Sequence, residues 1–373
     1  MHKLWSQTLP LLAASALAAT PGRAHAAGSP AETLAQMLAA SGITESGYLS
    51  ASYYHSSGGN TYHEFDTGHD SFQLDQAGLT LAYQPNQGFG ALVDMIAGDD
   101  AKIVNAAESA TGSSNNMFDL LQAFVQYVHG GLTIEAGKFT TLAGAEVIAP
   151  TGDTNFSRSL LFFAEPMTHT GVRATYALDR VLSLIVGVNN GWNYTNVNAG
   201  SKTGEFGIAL TPGRSLSITA QAYIGNDPVD LAKRTFFDTV WTYNATSALS
   251  FVVSYDWGRQ NASRVTSGGE WAGVAGYVNY WLNKHWRVSL RGEELDDRNG
   301  FILGTGVPQK VKEGTVTLGY DPLPCFELRI EGRYDTSNHA TFTYTRISAV
   351  TGRPVTTFSD HQSEFAVQGV YKF

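Results

Sequence analysis

From Phe326 to Tyr334 apolar and charged residues alternate without a fault. Phe326, Leu328, Ile330, Gly332 and Tyr334 fall on one face, and Glu327, Arg329, Glu331 and Arg333 on the other. A period of two marks a strand, because successive side chains point to opposite faces of a sheet. The design recurs over 286–293, with Arg287 and Arg291 on the polar face, and over 216–223. It returns at the end of the chain, where Phe365, Val367, Tyr371 and Phe373 oppose Glu364, Gln368 and Lys372. Sixteen strands are predicted, near 46–54, 72–84, 89–97, 117–129, 131–139, 169–178, 180–190, 203–211, 214–225, 234–244, 247–257, 270–282, 285–295, 312–321, 325–335 and 362–373.

The connections alternate short and long. Tight ones include 84–87, 179–180, 283–284 and 321–324; long ones lie near 55–71, 98–116, 140–168, 191–202, 226–233, 258–269, 296–311 and 336–361. An even strand count with this alternation is the pattern of a transmembrane barrel with short periplasmic turns and long extracellular loops. The expected fold is therefore all-β: a transmembrane antiparallel β-barrel of about 16 strands over 46–373, with both ends periplasmic. In hydrocarbon every backbone N–H and C=O must pair internally, so a spanning sheet has no free edge. A soluble secreted sandwich also alternates, with its apolar face inward; number and spacing favour the barrel. Tyr83, Tyr127, Tyr176, Tyr243, Trp257, Trp286, Tyr320, Phe326, Tyr371 and Phe373 sit near strand ends, where an interfacial girdle belongs.

The N-terminus follows a different pattern. Lys3, an apolar run over about 9–19, and small residues at Ala24 and Ala26 predict a cleavable signal peptide over 1–26. The run falls short of the ~20 residues a spanning helix needs. Losing Lys3 and Arg23 takes the net charge from −9 to −11. Residues 27–45 are expected to form a periplasmic segment with a short helix over about 30–41, capped by Ser29, begun by Pro30 and stopped by Gly42.

Composition narrows the function classes. The acidic balance argues against nucleic acid, and the single Cys325 rules out an intramolecular disulfide. A nucleophile elbow, a P-loop, a CxxC pair and an HExxH helix are all missing, so no catalytic residue, cofactor or metal ligand is assigned. His55, His63 and His69 share a loop with Glu64, Asp66 and Asp70; a solvated acidic loop is the preferred reading over a cation site. Gly98, Asp99 and Asp100 are read the same way, with lipopolysaccharide-bridging cations as the alternative.

Three stretches carry a family resemblance: Gly137-Lys138-Phe139, then Gly144-Ala145-Glu146, then Asn155-Phe156-Ser157-Arg158-Ser159-Leu160-Leu161-Phe162. Thr168-His169-Thr170-Gly171-Val172-Arg173 and Asn190-Gly191-Trp192 continue it. These segments resemble the β-barrel porin family of the OmpL type. The resemblance implies an outer-membrane porin-like barrel and no particular substrate. The terminal Phe373 is similar to the last-strand signal read by the barrel assembly machinery.

The connection over 140–168 is unusually apolar for a surface loop, with Val147, Ile148, Leu160, Leu161, Phe162, Phe163 and Met167. Such residues need burial, which the barrel wall offers. The loop is therefore expected to fold inward and constrict the pore. Glu146, Asp153, Arg158 and Glu165 are placed at the narrow zone. Arg173, Arg287, Arg291, Arg329 and Arg333 face them from the opposite wall, setting up a transverse field. The wall charges Glu327, Arg329, Glu331 and Arg333 are also expected to form a stabilising ladder with Arg287, Arg291 and Glu293, solute selection being secondary to it. Lys138 falls on the lipid-facing parity and calls for a bulge or a snorkelling side chain. The functional expectation is a passive diffusion channel for small hydrophilic solutes or ions. The alternative is a barrel that scaffolds an enzyme or adhesin. Expected partners are outer-membrane lipid, lipopolysaccharide, the assembly machinery and the solutes, with a homotrimer in keeping with a sixteen-stranded porin; the sequence itself shows only that some wall strands are rich in small residues, such as Gly273, Ala275 and Gly276.

Overall fold

The computed structural model describes residues 40–373 apart from 69, 110–111, 198–199 and 348–351. The expected signal peptide and nearly all of the expected helix over 30–41 lie outside the described residues. The last two residues of that helix, Ala40 and Ser41, are helical, and Gly42 follows with φ 75°.

The strands are β1 (Thr44–Ser56), β2 (Ser71–Tyr83), β3 (Gly88–Ala97), β4 (Phe118–His129), β5 (Leu132–Thr140) and β6 (Thr168–Ala177). Next come β7 (Leu182–Asn189), β8 (Thr203–Leu210), β9 (Leu216–Asn226), β10 (Lys233–Asn244), β11 (Leu249–Gln260) and β12 (Gly269–Trp281). The last are β13 (Trp286–Asp297), β14 (Gln309–Leu323), β15 (Phe326–Ser337), β16 (Phe342–Ile347), β17 (Pro354–Ser359) and β18 (His361–Lys372). Sixteen of them close into one antiparallel ring in chain order, with β18 between β15 and β1. Strands β16 and β17 form a separate hairpin inside the long connection expected over 336–361.

The inward and outward faces settle the choice between sandwich and barrel. On β15, Glu327, Arg329, Glu331, Arg333 and Asp335 are buried, while Ile330 and Tyr334 are exposed. Leu49, Phe72, Val125, Val186, Phe206, Val253, Val316 and Phe365 are likewise exposed on the outer surface. A soluble sandwich would bury these and expose the charges. Nine of the ten girdle aromatics ring the short-turn end; Trp257 lies toward the other end of β11. Cross-strand partners Trp286 and Tyr320 stack there with ring centres 4.3 Å apart.

Closure rests on the β1–β18 ladder, which runs in register from Tyr48↔Lys372 to Ser56↔Glu364. Beyond its last pair, Gly47 N donates to Phe373 O at 3.0 Å and Phe373 N to Gly47 O at 2.9 Å. The Phe373 ring lies over Gly47, so a Cβ there would come 2.5 Å from two ring atoms. Gly47 is thus required by close approach of a ring, not by an unusual φ.

The loop over 98–116 also departs from expectation. It contains helix α1 (Asp99–Glu108), entered through Gly98 at φ 136°. Asp100 is buried and accepts a 2.8 Å hydrogen bond from Gln76 Nε2, so it is not a solvated acid. Ala101 and Val104 pack on Ile96 and Leu121. The helix is short and its first turn is acidic, which hid its buried face among polar residues.

Replacing Gly47 by Leu is expected to destabilise the closed barrel by about 1–3 kcal/mol through overpacking against Phe373. The pair Gly47→Leu, Phe373→Ala should recover part of that loss. Thermal unfolding followed by heat-modifiable gel migration checks both; equal stability of Gly47→Leu and the native chain contradicts this account of closure.

Candidate functional site

The connection from β5 to β6 enters the barrel. It contains a 3-10 turn (Pro150–Gly152) and a short helix α2 (Leu160–Phe163) capped by Ser159, whose Oγ accepts from Phe162 N at 3.0 Å. Apolar positions anchor it. Leu160 packs with Tyr223, Phe236, Trp271, Leu295 and Val311 from five wall strands. Ile148, Phe162 and Met167 pack with Phe65 and with Val104 of α1. The loop therefore starts between β5 and β6 and reaches β13, β14 and β15, half-way round the ring.

Charged wall residues hold its backbone. Glu331 accepts from Phe156 N at 2.6 Å and Ser157 N at 2.9 Å. Glu293 accepts from Leu160 N at 2.8 Å and Leu161 N at 3.3 Å, the otherwise unpaired donors at the start of α2. The wall arginines take the carbonyls. Arg329 Nη2 donates to Pro150 O at 2.9 Å and Asp153 O at 2.8 Å, Arg287 Nη2 to Thr154 O at 2.9 Å, and Arg333 Nη1 to Arg158 O at 2.6 Å. Arg291 Nη1 reaches Ser157 O at 2.7 Å and the Glu146 carboxylate at 2.8 Å.

This geometry corrects the expected transverse field. Acids on the loop and bases on the wall do not face each other across water. Glu146, Asp153, Arg158, Glu165, Arg173, Arg287, Arg291, Arg329 and Arg333 are each 8% exposed or less. Arg158 organises the loop itself: its Nε lies 3.1 Å from Asp153 Oδ2 and donates to Val147 O at 2.9 Å, and its guanidinium covers the Phe65 ring at 5.2 Å. Arg173 does not belong to the opposite wall. It stands on β6 beside the root of the loop, 2.9 Å from Glu205 Oε1 and 4.1 Å above the Phe139 ring. Glu165 meets acids instead of bases. Around it are Asp238 and Asp256, which are directly cross-strand on β10 and β11 and fully buried. A cavity of about 10 Å³, room for one water, remains beside Asp66, Asp75, Asp100 and Arg158.

The wall ladder is built somewhat differently from the alternative drawn from sequence. Arg287 pairs with Glu327 at 2.7 Å and Arg291 with Glu313 at 3.1 Å. Arg329 pairs along its own strand with Glu327, and Arg333 with Asp335, both at 2.9 Å. Lys138 keeps its outward parity yet is buried, 2.7 Å from Glu108 and 2.8 Å from Asp119. Its own ladders run without a register shift; one lies on the β3–β4 ladder, between Asp94 and Ile96, beside its partner Asp119.

Residues 42–373 match the family described as Putative beta-barrel porin-2, OmpL-like. The chain belongs to this family. Solved structures share its barrel at low identity. OmpT of Vibrio cholerae is 13% identical with a TM-score of 0.60, covering 89% of this chain and 97% of that one. OprB of Pseudomonas putida is 10% identical with a TM-score of 0.62, covering 92% and 97%. An anion-selective porin from Comamonas acidovorans is 10% identical with a TM-score of 0.60, covering 89% and 99%. Among curated proteins no sequence matches.

Two of the small residues of β12 serve the loop. Gly273 and Ala275 face the lumen. A Cβ on Gly273 would lie 2.7 Å from Leu161 Cδ1, and Ala275 packs directly on Leu161. They make room for the loop. Asp238, Asp256 and Glu313 escaped selection from the sequence; all sit on inward parity, but only pairing of β10 with β11 and closure of the ring place them under the loop.

Two outcomes follow from these contacts. Arg329→Ala strips three loop carbonyls and Glu327 of a buried cation, at a cost of about 3–5 kcal/mol. Hydrogen exchange of 150–158 should accelerate roughly a hundredfold or more, while the barrel strands stay protected. Burial, and after it the charge of Asp238, push the carboxyl of the loop residue Glu165 well above the usual range. A carboxyl raised on folding adds stability at low pH that is lost as pH rises through the folded value. Loop protection is therefore expected to fall from mildly acid to alkaline pH, and Glu165→Gln to flatten that profile. A native profile that is flat, or one that rises with pH, contradicts the assignment.

Proposed function

We propose that this chain is an outer-membrane porin, a passive route for small hydrophilic solutes or ions, in which the loop between β5 and β6 sets what passes. The observation that carries the reading is a closed sixteen-strand ring with its charges inward and its apolar residues outward. A ring of this size, cleared of its loop, encloses an aqueous channel. The loop crosses that space on wall hydrogen bonds, so it acts as a plug at the waist more than as a rim. The outer apolar surface and the aromatic ring suit lipid and lipopolysaccharide. Insertion in the outer membrane, export by cleavage after residue 26 and recognition of the strand ending at Phe373 by the assembly machinery belong to the same proposal. A homotrimer is included on one ground, that one OmpT structure is described as a trimer form. The proposal includes no covalent step and no cofactor for transport. Anion selectivity is stated of the Comamonas porin alone; in this chain each wall arginine is matched by a carboxylate or loop carbonyl.

Planar-bilayer recording tests the reading. The native protein should give small or infrequent steps, and a variant with 145–163 replaced by a short Gly-Ser linker should give steady steps several times larger. If neither protein conducts, the porin reading fails. Arg291→Glu sets a carboxylate against Glu146, Glu293 and Glu313. Its conductance should move toward that of the trimmed variant, with reversal potentials shifted toward cations. Unchanged conductance and selectivity would remove Arg291 from the lumen.

A further inference from the structure

The loop joining β1 to β2 was expected to be solvated, and part of it is. His55 and Asp70 are exposed and lie 2.5 Å apart; His69 is outside the described residues. His63 and Asp66 are different. Their side chains are at most 1% exposed, and they lie against the start of β18 and the end of β15. His63 Nδ1 is 2.5 Å from Asp66 Oδ2 and 3.7 Å from Glu364 Oε2. On the other side of the ring, His63 Nε2 is 3.0 Å from Asp335 Oδ2.

Both ring nitrogens face carboxylates. Gln362 Nε2 lies 3.0 Å from His63 Nε2 and also donates to Thr61 O at 2.9 Å and Asp335 Oδ2 at 3.0 Å. A ring flanked by carboxylates on both sides calls for a positive charge between them, which a second ring proton or a cation at Nδ1 supplies. Asp66 Oδ1 and Glu364 Oε1 are buried and find no donor among the described residues. Charge points the same way: three carboxylates, Asp66, Asp335 and Glu364, surround the imidazole, and Arg333 lies 2.9 Å from Asp335 alone among them.

We propose that His63 Nδ1, Asp66 and Glu364 bind one zinc-type divalent cation, with Asp335 as the outer carboxylate that orients the imidazole. One ligand atom from each lies within 4.8 Å of the others, and all three side chains are buried. A carboxylate–histidine–metal arrangement is the usual support of such a site, and one imidazole with two carboxylate oxygens is a zinc donor set that leaves a fourth position for water. Zinc bonds of about 2.0–2.2 Å hold ligand atoms roughly 3.3 Å apart. Asp66 would open from its 2.5 Å contact and Glu364 would close from 3.7 Å. The cation ties the first long loop to β18 at Ser56↔Glu364, the last registered pair of the closing ladder. It acts as a clasp over the seam where the two ends of the sheet meet, apart from the plug.

The test is zinc titration of the full chain, refolded in detergent and stripped with chelator, in competition with a chromophoric zinc indicator. One ion per chain is expected, with thermal unfolding shifted upward by zinc. His63→Ala and Glu364→Gln should each weaken binding at least tenfold and abolish the thermal shift. Asp335→Asn should weaken it about 10–100-fold. His55→Ala and His361→Ala, which alter exposed histidines, should leave it unchanged. Far-UV circular dichroism and heat-modifiable migration identify any variant that fails to fold; Glu364→Gln keeps the test valid if His63→Ala is lost. The proposal is overturned if the native chain binds no zinc at 100-fold excess, leaving His63 as a buried imidazolium. It is also overturned if binding survives both His63→Ala and Glu364→Gln, or if calcium or magnesium binds at the same residues while zinc does not.

Discussion

The structure depends on one kind of contact: the backbone of the β5–β6 loop is hydrogen-bonded to charged side chains of the far wall. Glu293 and Glu331 accept its N–H groups, and Arg287, Arg291, Arg329 and Arg333 donate to its carbonyls. A loop inside a barrel has no ladder to satisfy its polar groups, and burying them unpaired is costly. Carboxylates and guanidinia alternating along the inward face of β15, with Arg287, Arg291 and Glu293 on β13, provide the missing partners. The same alternation gives the strands their outward apolar face, so one sequence pattern serves both the wall and the loop.

The apolar side of the loop uses the complementary device. Leu160 and Leu161 need a dry surface, which an ordinary polar lumen lacks. Trp271, Tyr223, Phe236 and Leu295 face inward to supply it, and Gly273 and Ala275 leave the depth for Leu161. Hydrophobic burial and backbone satisfaction thus act on the same short stretch. Removing one arginine leaves several groups unpaired at once, which makes these contacts cooperative. The acids around Glu165 are the exception. Three carboxylates, Glu165, Asp238 and Asp256, meet there with few donors.

The ring and the plug are secured at separate places. The β1–β18 ladder and the Phe373 ring over Gly47 remove the last free edge at the short-turn end. At the long-loop end the same seam is overlain by His63, Asp66 and Glu364.

The sequence by itself determined the sixteen strands, their order, the two faces and the inward apolar loop, because period-two alternation and turn spacing are local properties of the chain. It also marked Arg291, Arg329 and Arg333 as inward-facing through parity alone. It hid α1 and the β16–β17 hairpin, since short elements packed on a neighbouring loop carry little periodicity of their own. Only the tertiary structure decided partners. Whether Glu146 faces water or Arg291, and whether His63 is solvated or enclosed by Asp66, Asp335 and Glu364, depends on segments far apart in the chain meeting once the ring closes. Parity fixes which face a side chain takes; distance across a closed sheet is set by where the edges meet.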